Sequence, residues 1–350
     1  MPYGTDWTEG YSSTWRVFRV DRDTWADAEL VEGVVAVSVE RTCDEDSPTL
    51  ERGTMTVDIA PNATFSEGYY RIAMTAMQDG TAERVDVATL LCSSSEGDVN
   101  RGNDARDVQG RSVLYPASRT ELESGSYAPA GIDGVRYVAG LLRATINAPV
   151  ETEGSFVLDE HYVFDNGSTV LAAAWKVLDA GSYVLQIAGD GTVRVVPKPT
   201  EPSLVLDRAH ARLLHPNVHH RLDYSEVPNR YKVNDNGTEV VAVNDDPNSV
   251  TSTVYRGWTL DARDDSPARV NGETLDAYAN RKLEEASMVY DSRTYSREWW
   301  PDVYPHSVVR GSLSSVMLDG DLRVVSQSLT CGKGIVVEEE ARREVYTWQR

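Results

Sequence analysis

Residues Val177 to Pro197 read VLDAGSYVLQIAGDGTVRVVP, and this run decides how the middle of the chain is built. Its first residues close an amphipathic helix in which Leu171, Ala174, Trp175 and Leu178 stand at i, i+3, i+4 and i+7, so they share one buried stripe. Ser168 is the expected N-cap and Gly181 the expected C′ residue. Directly afterwards, Tyr183 to Ile187 and Thr192 to Val196 flank Gly189-Asp190-Gly191, a strong local signal for a β-hairpin. Upstream, Val135, Val138, Leu141, Leu142 and Thr145 recur at helical spacing. Helix, helix and hairpin make a small α+β unit, which Pro197, Pro199 and Pro202 bring to an end.

On the N-terminal side the period changes to two. Trp15 to Val20, Val34 to Val39, Met55 to Ile59 and Val85 to Leu91 are short apolar runs separated by acidic or glycine-containing breaks. Met55, Val57 and Ile59 alternate with Thr56 and Asp58, as in an antiparallel sheet or barrel with one buried side. Gly97 to Tyr127 is rich in Gly, Asn, Asp, Arg and Ser and is expected to be a loop or domain junction.

The last third returns to strands. Tyr231 to Val233 and Val240 to Val243 surround Asn236-Gly237, the dipeptide suited to a type I′ turn. Thr253 to Leu260, Ser307 to Leu313, Leu322 to Leu329, Ile335 to Val337 and Glu344 to Trp348 are further strand candidates, with Asp319-Gly320 as another turn. One helix interrupts them, with Leu275, Tyr278, Ala279, Leu283 and Ala286 on its apolar face and Asn271 as the expected N-cap. The expected fold is therefore α+β and mostly β. Two antiparallel β-barrel-like domains, 1–115 and 203–350, enclose an α+β insert at 116–202.

Composition excludes several classes of function. The chain's 350 residues are 41% hydrophobic and 25% charged, enough to bury real cores. Its 34 basic against 55 acidic side chains leave a formal charge of -21, which repels a phosphate backbone and argues against sequence-specific nucleic-acid binding. Met1 to Trp15 has neither a basic n-region nor an apolar h-region, and no stretch approaches the roughly 20 apolar residues of a membrane helix. Solubility, synthesis without Sec-type export and no stable membrane insertion are the expectations. Cys43, Cys92 and Cys331 are odd in number and widely spread, as packing residues would be. Asn62, Asn166 and Asn236 head N-x-[ST] triplets, which carry weight only in an exported eukaryotic chain.

Four of the six histidines, His210, His215, His219 and His220, fall close together, and histidine is the commonest metal ligand. They lack matching cysteines or a helical HExxH frame, so an exposed loop beside Pro216 is the expectation. Asp44, Glu45 and Asp46, then Asp245 and Asp246 beside Asn244, and Asp261, Asp264 and Asp265 offer oxygen ligands for calcium, yet no D-x-[DN]-x-[DN]-G loop is present and solvated turns are expected. With 55 acidic residues, accidental carboxylate pairs are too many to point to glycoside hydrolysis. There is no G-x-S-x-G, P-loop or G-x-G-x-x-G, so no catalytic residue, cofactor or metal ligand is assigned. Glu298, Trp299, Trp300 and Pro301, with Tyr295 and Tyr304, are expected to seal a barrel end against the preceding helix, the alternative being an exposed surface for sugar or partner contact.

The order of segments resembles the hub family of bacteriophage tails: the baseplate hub of contractile phages and the N-terminal region of tail-associated proteins in siphophages. Gly53 to Ala60, Tyr70-Arg71-Ile72 and Val87-Ala88-Thr89-Leu90 are similar to the first hub barrel. Val177 to Pro197 is similar to the family's insert. Asn229 to Val233, the Asp246-Pro247 loop and the helix from Leu275 are similar to the second barrel. The resemblance implies a homotrimer in the virion, at the tail tip or baseplate, made in the host bacterial cytoplasm. It implies contacts with tail tube or distal tail proteins, the tape measure protein and tip or fibre proteins, around a channel for DNA. Larger relatives append a peptidoglycan-cleaving or receptor-binding region, whereas this chain ends at Arg350, so a bare hub without an enzyme is expected. A tail-associated peptidoglycan hydrolase and a receptor- or carbohydrate-binding module are the other two readings.

Overall fold

The structure is a computed structural model and describes residues 4–44, 47–58, 66–96, 105–210, 213–269, 272–332 and 334–349. Seven strands come first: β1 Ser12–Val20, β2 Asp27–Val31, β3 Val34–Asp44, β4 Ser47–Asp58, β5 Gly68–Gln78, β6 Thr81–Glu96 and β7 Ala105–Arg111. The central segment runs through α1 Tyr115–Arg119, β8 Tyr127–Ala128, α2 Gly134–Arg143, β9 Val150–Thr152, β10 Tyr162–Val163, α3 Val170–Ala180, β11 Tyr183–Ile187 and β12 Val193–Pro197. The remainder comprises β13 Pro202–Leu206, β14 Leu214–Leu222, β15 Arg230–Asp235, β16 Thr238–Val243, α4 Thr253–Arg256, β17 Asp261–Asp264, α5 Leu275–Ala286, β18 Met288–Glu298, β19 Val308–Leu313, β20 Leu318–Cys331 and β21 Ile335–Tyr346. The fold is α+β and mostly β, as the alternating runs require.

By contacts the chain forms two compact units, Met1–Val218 with Thr294–Ala341, and His219–Arg293 with Arg342–Arg350. The largest sheet has the strand order β14-β18-β21-β20-β3-β4-β7-β6-β5-β1-β2, with β19 beside β20 and β13 beside β19. The β20–β3 pairing, with Leu329 opposite Val39 and Cys331 opposite Val37, joins the last third of the sequence to the first. These residues share a core with Ile72, Met74, Val87, Leu90, Ile335 and Val337. Cys43, Cys92 and Cys331 are all buried, and none of the three forms a disulfide.

Within the same unit the central segment has its own core. Val135, Val138 and Leu142 of α2 meet Leu171, Ala174, Val177 and Leu178 of α3, above the sheet β11-β12-β9. Trp175 leaves this stripe: it is half-buried and stacks on His306 at 6.3 Å between ring centroids. The α3 N-cap is Thr169, one residue after Ser168, because the Thr169 hydroxyl reaches the Ala172 N–H. Gly181 stays at φ -99°, and Ser182 takes the left-handed conformation at φ 56° instead. The hairpin has the expected pairing, Tyr183 opposite Pro197 through Ile187 opposite Val193.

In the second unit, β16-β15-β17 form a three-stranded sheet. Asn236 and Gly237 both have positive φ between the paired Asp235 and Thr238, which is the I′ geometry their sequence calls for. Val233 and Ala242 on one face of this sheet pack with Tyr278, Ala279 and Leu283 of α5. Thr274 caps α5, accepting from Ala277, whereas Asn271 lies outside the described residues.

Four other expectations are corrected. The stretch Thr253 to Leu260 is not a strand, because the Ser252 hydroxyl caps the Tyr255 N–H and left-handed Gly257 ends one helical turn. Gly97 to Tyr127 is not all loop, since Ala105–Arg111 is a strand between β4 and β6. Asp319 and Gly320 lie inside β20, opposite Ser312 and Gly311, and the reversal is made at Ser314–Val316 with Met317 left-handed. His215, His219 and His220 lie on strand β14 rather than on a loop.

Candidate functional site

Strand β18 explains where the chain keeps its buried charge. Val289, Asp291, Arg293, Tyr295 and Arg297 alternate with less buried neighbours, so its inward face is mostly polar. On β21 the inward residues are Ile335, Val337, Glu339 and Ala341. In the first unit this places Arg297 against Glu339 at 2.6 Å, with side chains 1% and 0% exposed. The Tyr295 hydroxyl donates to Glu339 Oε1 at 2.6 Å, and Gln327 Nε2 donates to Oε2 at 2.7 Å. Burial pushes the Glu339 carboxyl up, but the Arg297 charge and three donors outweigh it and hold the pKa below the usual value. Burial and the adjacent carboxylate push Tyr295 well above an ordinary phenol. Sealed from solvent, this group is a neutralised charge pair that ties strands together.

In the second unit Asp291 is the focus of a similar cluster. Arg293 Nη1 and Nη2 donate to it, Arg343 Nε lies 3.0 Å from Oδ2, and His220 Nε2 is 2.9 Å from Oδ1. Burial raises the Asp291 pKa, and the two guanidinium groups more than offset this.

The other histidines of this stretch do not converge. His210 Nδ1 is 2.8 Å from Asp207, His215 Nε2 is 3.6 Å from Glu298, and His219 is exposed. Among the described residues no three His, Cys, Asp or Glu side chains are grouped to hold a metal.

Asp246, Asp261, Asp264 and Asp265 are held in turns and ion pairs. Asp246 accepts from the Asn248 N–H and side-chain amide. Asp261 is salt-bridged to Arg230 and Lys232, Asp264 accepts from the Tyr278 hydroxyl at 2.6 Å, and Asp265 faces Arg263. Glu45 and Asp46 lie outside the described residues.

Trp299 is 4% exposed and meets the edge of Trp7 at 5.6 Å, so it belongs to the core of the first unit. Tyr304 is buried too, with the Arg41 guanidinium over its ring. Burial pushes its hydroxyl up to about 12.

The tip of the β11–β12 hairpin makes a close junction in the first unit. Thr89 Oγ1 donates to the Gly189 carbonyl at 2.9 Å, and Trp25 Nε1 and Arg71 Nη2 donate to the Asp190 carbonyl at 2.8 and 3.0 Å. Arg71 is itself held by Asp27 at 2.9 Å. Three side chains from β5, β6 and the β1–β2 turn thus grip two consecutive carbonyls, and the glycines flanking Asp190 leave room for the grip. The GDG triplet announced the turn; its docking partners, 100 to 165 residues away, carried no local signal.

No protein-family profile and no curated protein matches the sequence. The fold is similar to solved tail proteins. A tail protein from Neisseria meningitidis MC58 aligns over 96% of this chain and 97% of its own with a TM-score of 0.61 at 15% identity. The 43 kDa tail protein of prophage MuSo2 from Shewanella oneidensis aligns over 93% and 97% with a TM-score of 0.58 at 11% identity. A chain of the Francisella PdpA-VgrG complex matches 95% of this chain over 53% of its own length, with a TM-score of 0.53 at 7% identity. At such identities the likeness is one of fold.

Proposed function

We propose that this chain is a structural hub of a bacteriophage tail tip or baseplate, joining the tail tube to the distal tip without catalysis of its own. The observation that carries the reading is the end-to-end likeness of fold to two tail proteins, over nine-tenths or more of both chains in each pair. The division into 1–115, 116–202 and 203–350 belongs to the same proposal, as does a homotrimer in the virion that contacts tail tube or distal tail proteins, the tape measure protein and tip or fibre proteins. A charge of -21 suits the wall of a channel through which DNA must slide without sticking. The ionisable clusters support a framework role, because Glu339 and Asp291 are both engaged by buried guanidinium partners.

Negative-stain imaging of the purified protein, paired with a peptidoglycan clearing assay, tests the reading. A threefold ring with a central hole and no clearing is expected. Clearing that disappears on carboxylate substitution would overturn it in favour of a hydrolase.

A further inference from the structure

We infer that the contact between α3 and the loop leading into β19 is an acid-opened latch: His306 takes up a proton at Nε2, leaves the Trp175 ring and loosens the central segment from β20. Both sides of this contact lie in the first unit.

His306 combines features that pull against one another. It is 4% exposed, its Nε2 has no hydrogen-bond partner among the described residues, and its backbone is left-handed at φ 71°. A buried polar atom without a partner and a left-handed L residue both cost free energy, so the closed position is held from outside. One tie is the stack on Trp175, 6.3 Å between centroids and 23° between planes. Arg323 of β20 makes the second. Its Nη1 donates to the His306 carbonyl at 2.8 Å and its Nη2 to the Pro199 carbonyl at 3.1 Å, so one guanidinium joins the loop to the segment that follows β12.

The charges around the ring decide its response to acid. Arg323 from β20 and Lys198 from the link after β12 act on it, and both are positive. From α3 the ring meets the uncharged Trp175, and among the described residues no carboxylate offsets the two cations. Burial first, and then these charges, favour the neutral imidazole and lower its pKa to about 4. A proton on Nε2 puts a third positive charge into the seam. Once the ring reaches water it regains its ordinary proton affinity, so the open form binds the proton more tightly than the closed one. By linkage, opening becomes about 100-fold more favourable between pH 7 and pH 4.

The opening is local because neither ring anchors a core. Helix α3 is held through Leu171, Ala174, Val177 and Leu178, and β20 through Leu322 and Val324. Trp175 is half-buried and lies outside the α3 stripe. Loss of the stack therefore loosens the seam and leaves both cores packed.

The test is fluorine NMR of the full chain labelled with fluorotryptophan, the Trp175 resonance being assigned by its loss in Trp175→Phe. As pH falls from 7 to about 4, this resonance is expected to move towards that of free fluorotryptophan, while that of buried Trp299 stays in place. In His306→Asn, whose side chain tolerates left-handed backbone, the movement should disappear. Lys198→Glu changes an exposed side chain and supplies the missing carboxylate, so the opened population at pH 4 should fall about threefold or more. This second variant decides the matter if His306→Asn fails to fold. A Trp175 resonance that stays put at pH 4, movement unchanged in either variant, or movement only together with Trp299 overturns the inference.

Discussion

Gly189 approaches Asp86 so closely that a Cβ on the glycine would lie 1.9 Å from the Asp86 carbonyl oxygen. Since that neighbour is backbone, the hairpin tip can only sit on β6 if position 189 carries no side chain. Gly189→Ala should destabilise the protein by about 3 kcal/mol or more through overpacking. A Cβ added to Gly140, in α2, would meet nothing within 4 Å, so Gly140→Ala should stabilise by about 0.5–1 kcal/mol. Urea unfolding of the two variants beside the wild type checks the opposite signs.

Arg297 and Glu339 should behave as a unit. Removing either partner strands a buried charge, and Glu339→Ala should cost about 3–5 kcal/mol. The double variant Arg297→Met with Glu339→Leu should cost clearly less than the sum of the single changes. Equal and additive losses in a double-mutant cycle would contradict the pairing.

His306 is 4% exposed, and its Nε2 has no hydrogen-bond partner among the described residues. Burial, then the charges of Arg323 and Lys198, lower its pKa from 6.5 to about 4. The unfolded chain therefore binds more protons than the folded one between those two values. Stability from this group is fully present above pH 6.5, falls as pH drops, and is lost below about 4, a loss of about 3 kcal/mol. The pH dependence of unfolding should flatten over this window in His306→Gln, and an unchanged profile would count against the assignment.

Trp299→Ala should lower stability by about 3–5 kcal/mol, because the ring is buried against Trp7. Retention on sugar matrices or bacterial cells should not change at a concentration where the variant remains folded. Lost retention with unaltered stability would restore the receptor reading for this aromatic cluster.

Much of the fold was legible because short-range rules governed it. The hairpin at Gly189-Asp190-Gly191, the I′ turn at Asn236-Gly237 and the apolar face of α5 follow from turn chemistry and periodicity alone. Strand β18 was missed because alternation is read as apolar-in, and here Asp291, Arg293, Tyr295 and Arg297 are the inward residues. The short helix at Thr253 was hidden by β-branched residues whose strand preference lost to a serine cap and a glycine stop.

By itself, the sequence determined the mostly β character, the helical insert and the turns at Gly189-Asp190-Gly191 and Asn236-Gly237, since each depends on residues a few positions apart. Tertiary structure alone decided that β3 pairs with β20, that Glu339 meets Arg297, and that the hairpin tip is held by Trp25, Arg71 and Thr89. Those contacts join residues tens to hundreds of positions apart. Their strength comes from burial and desolvation, which exist only once the sheet has assembled.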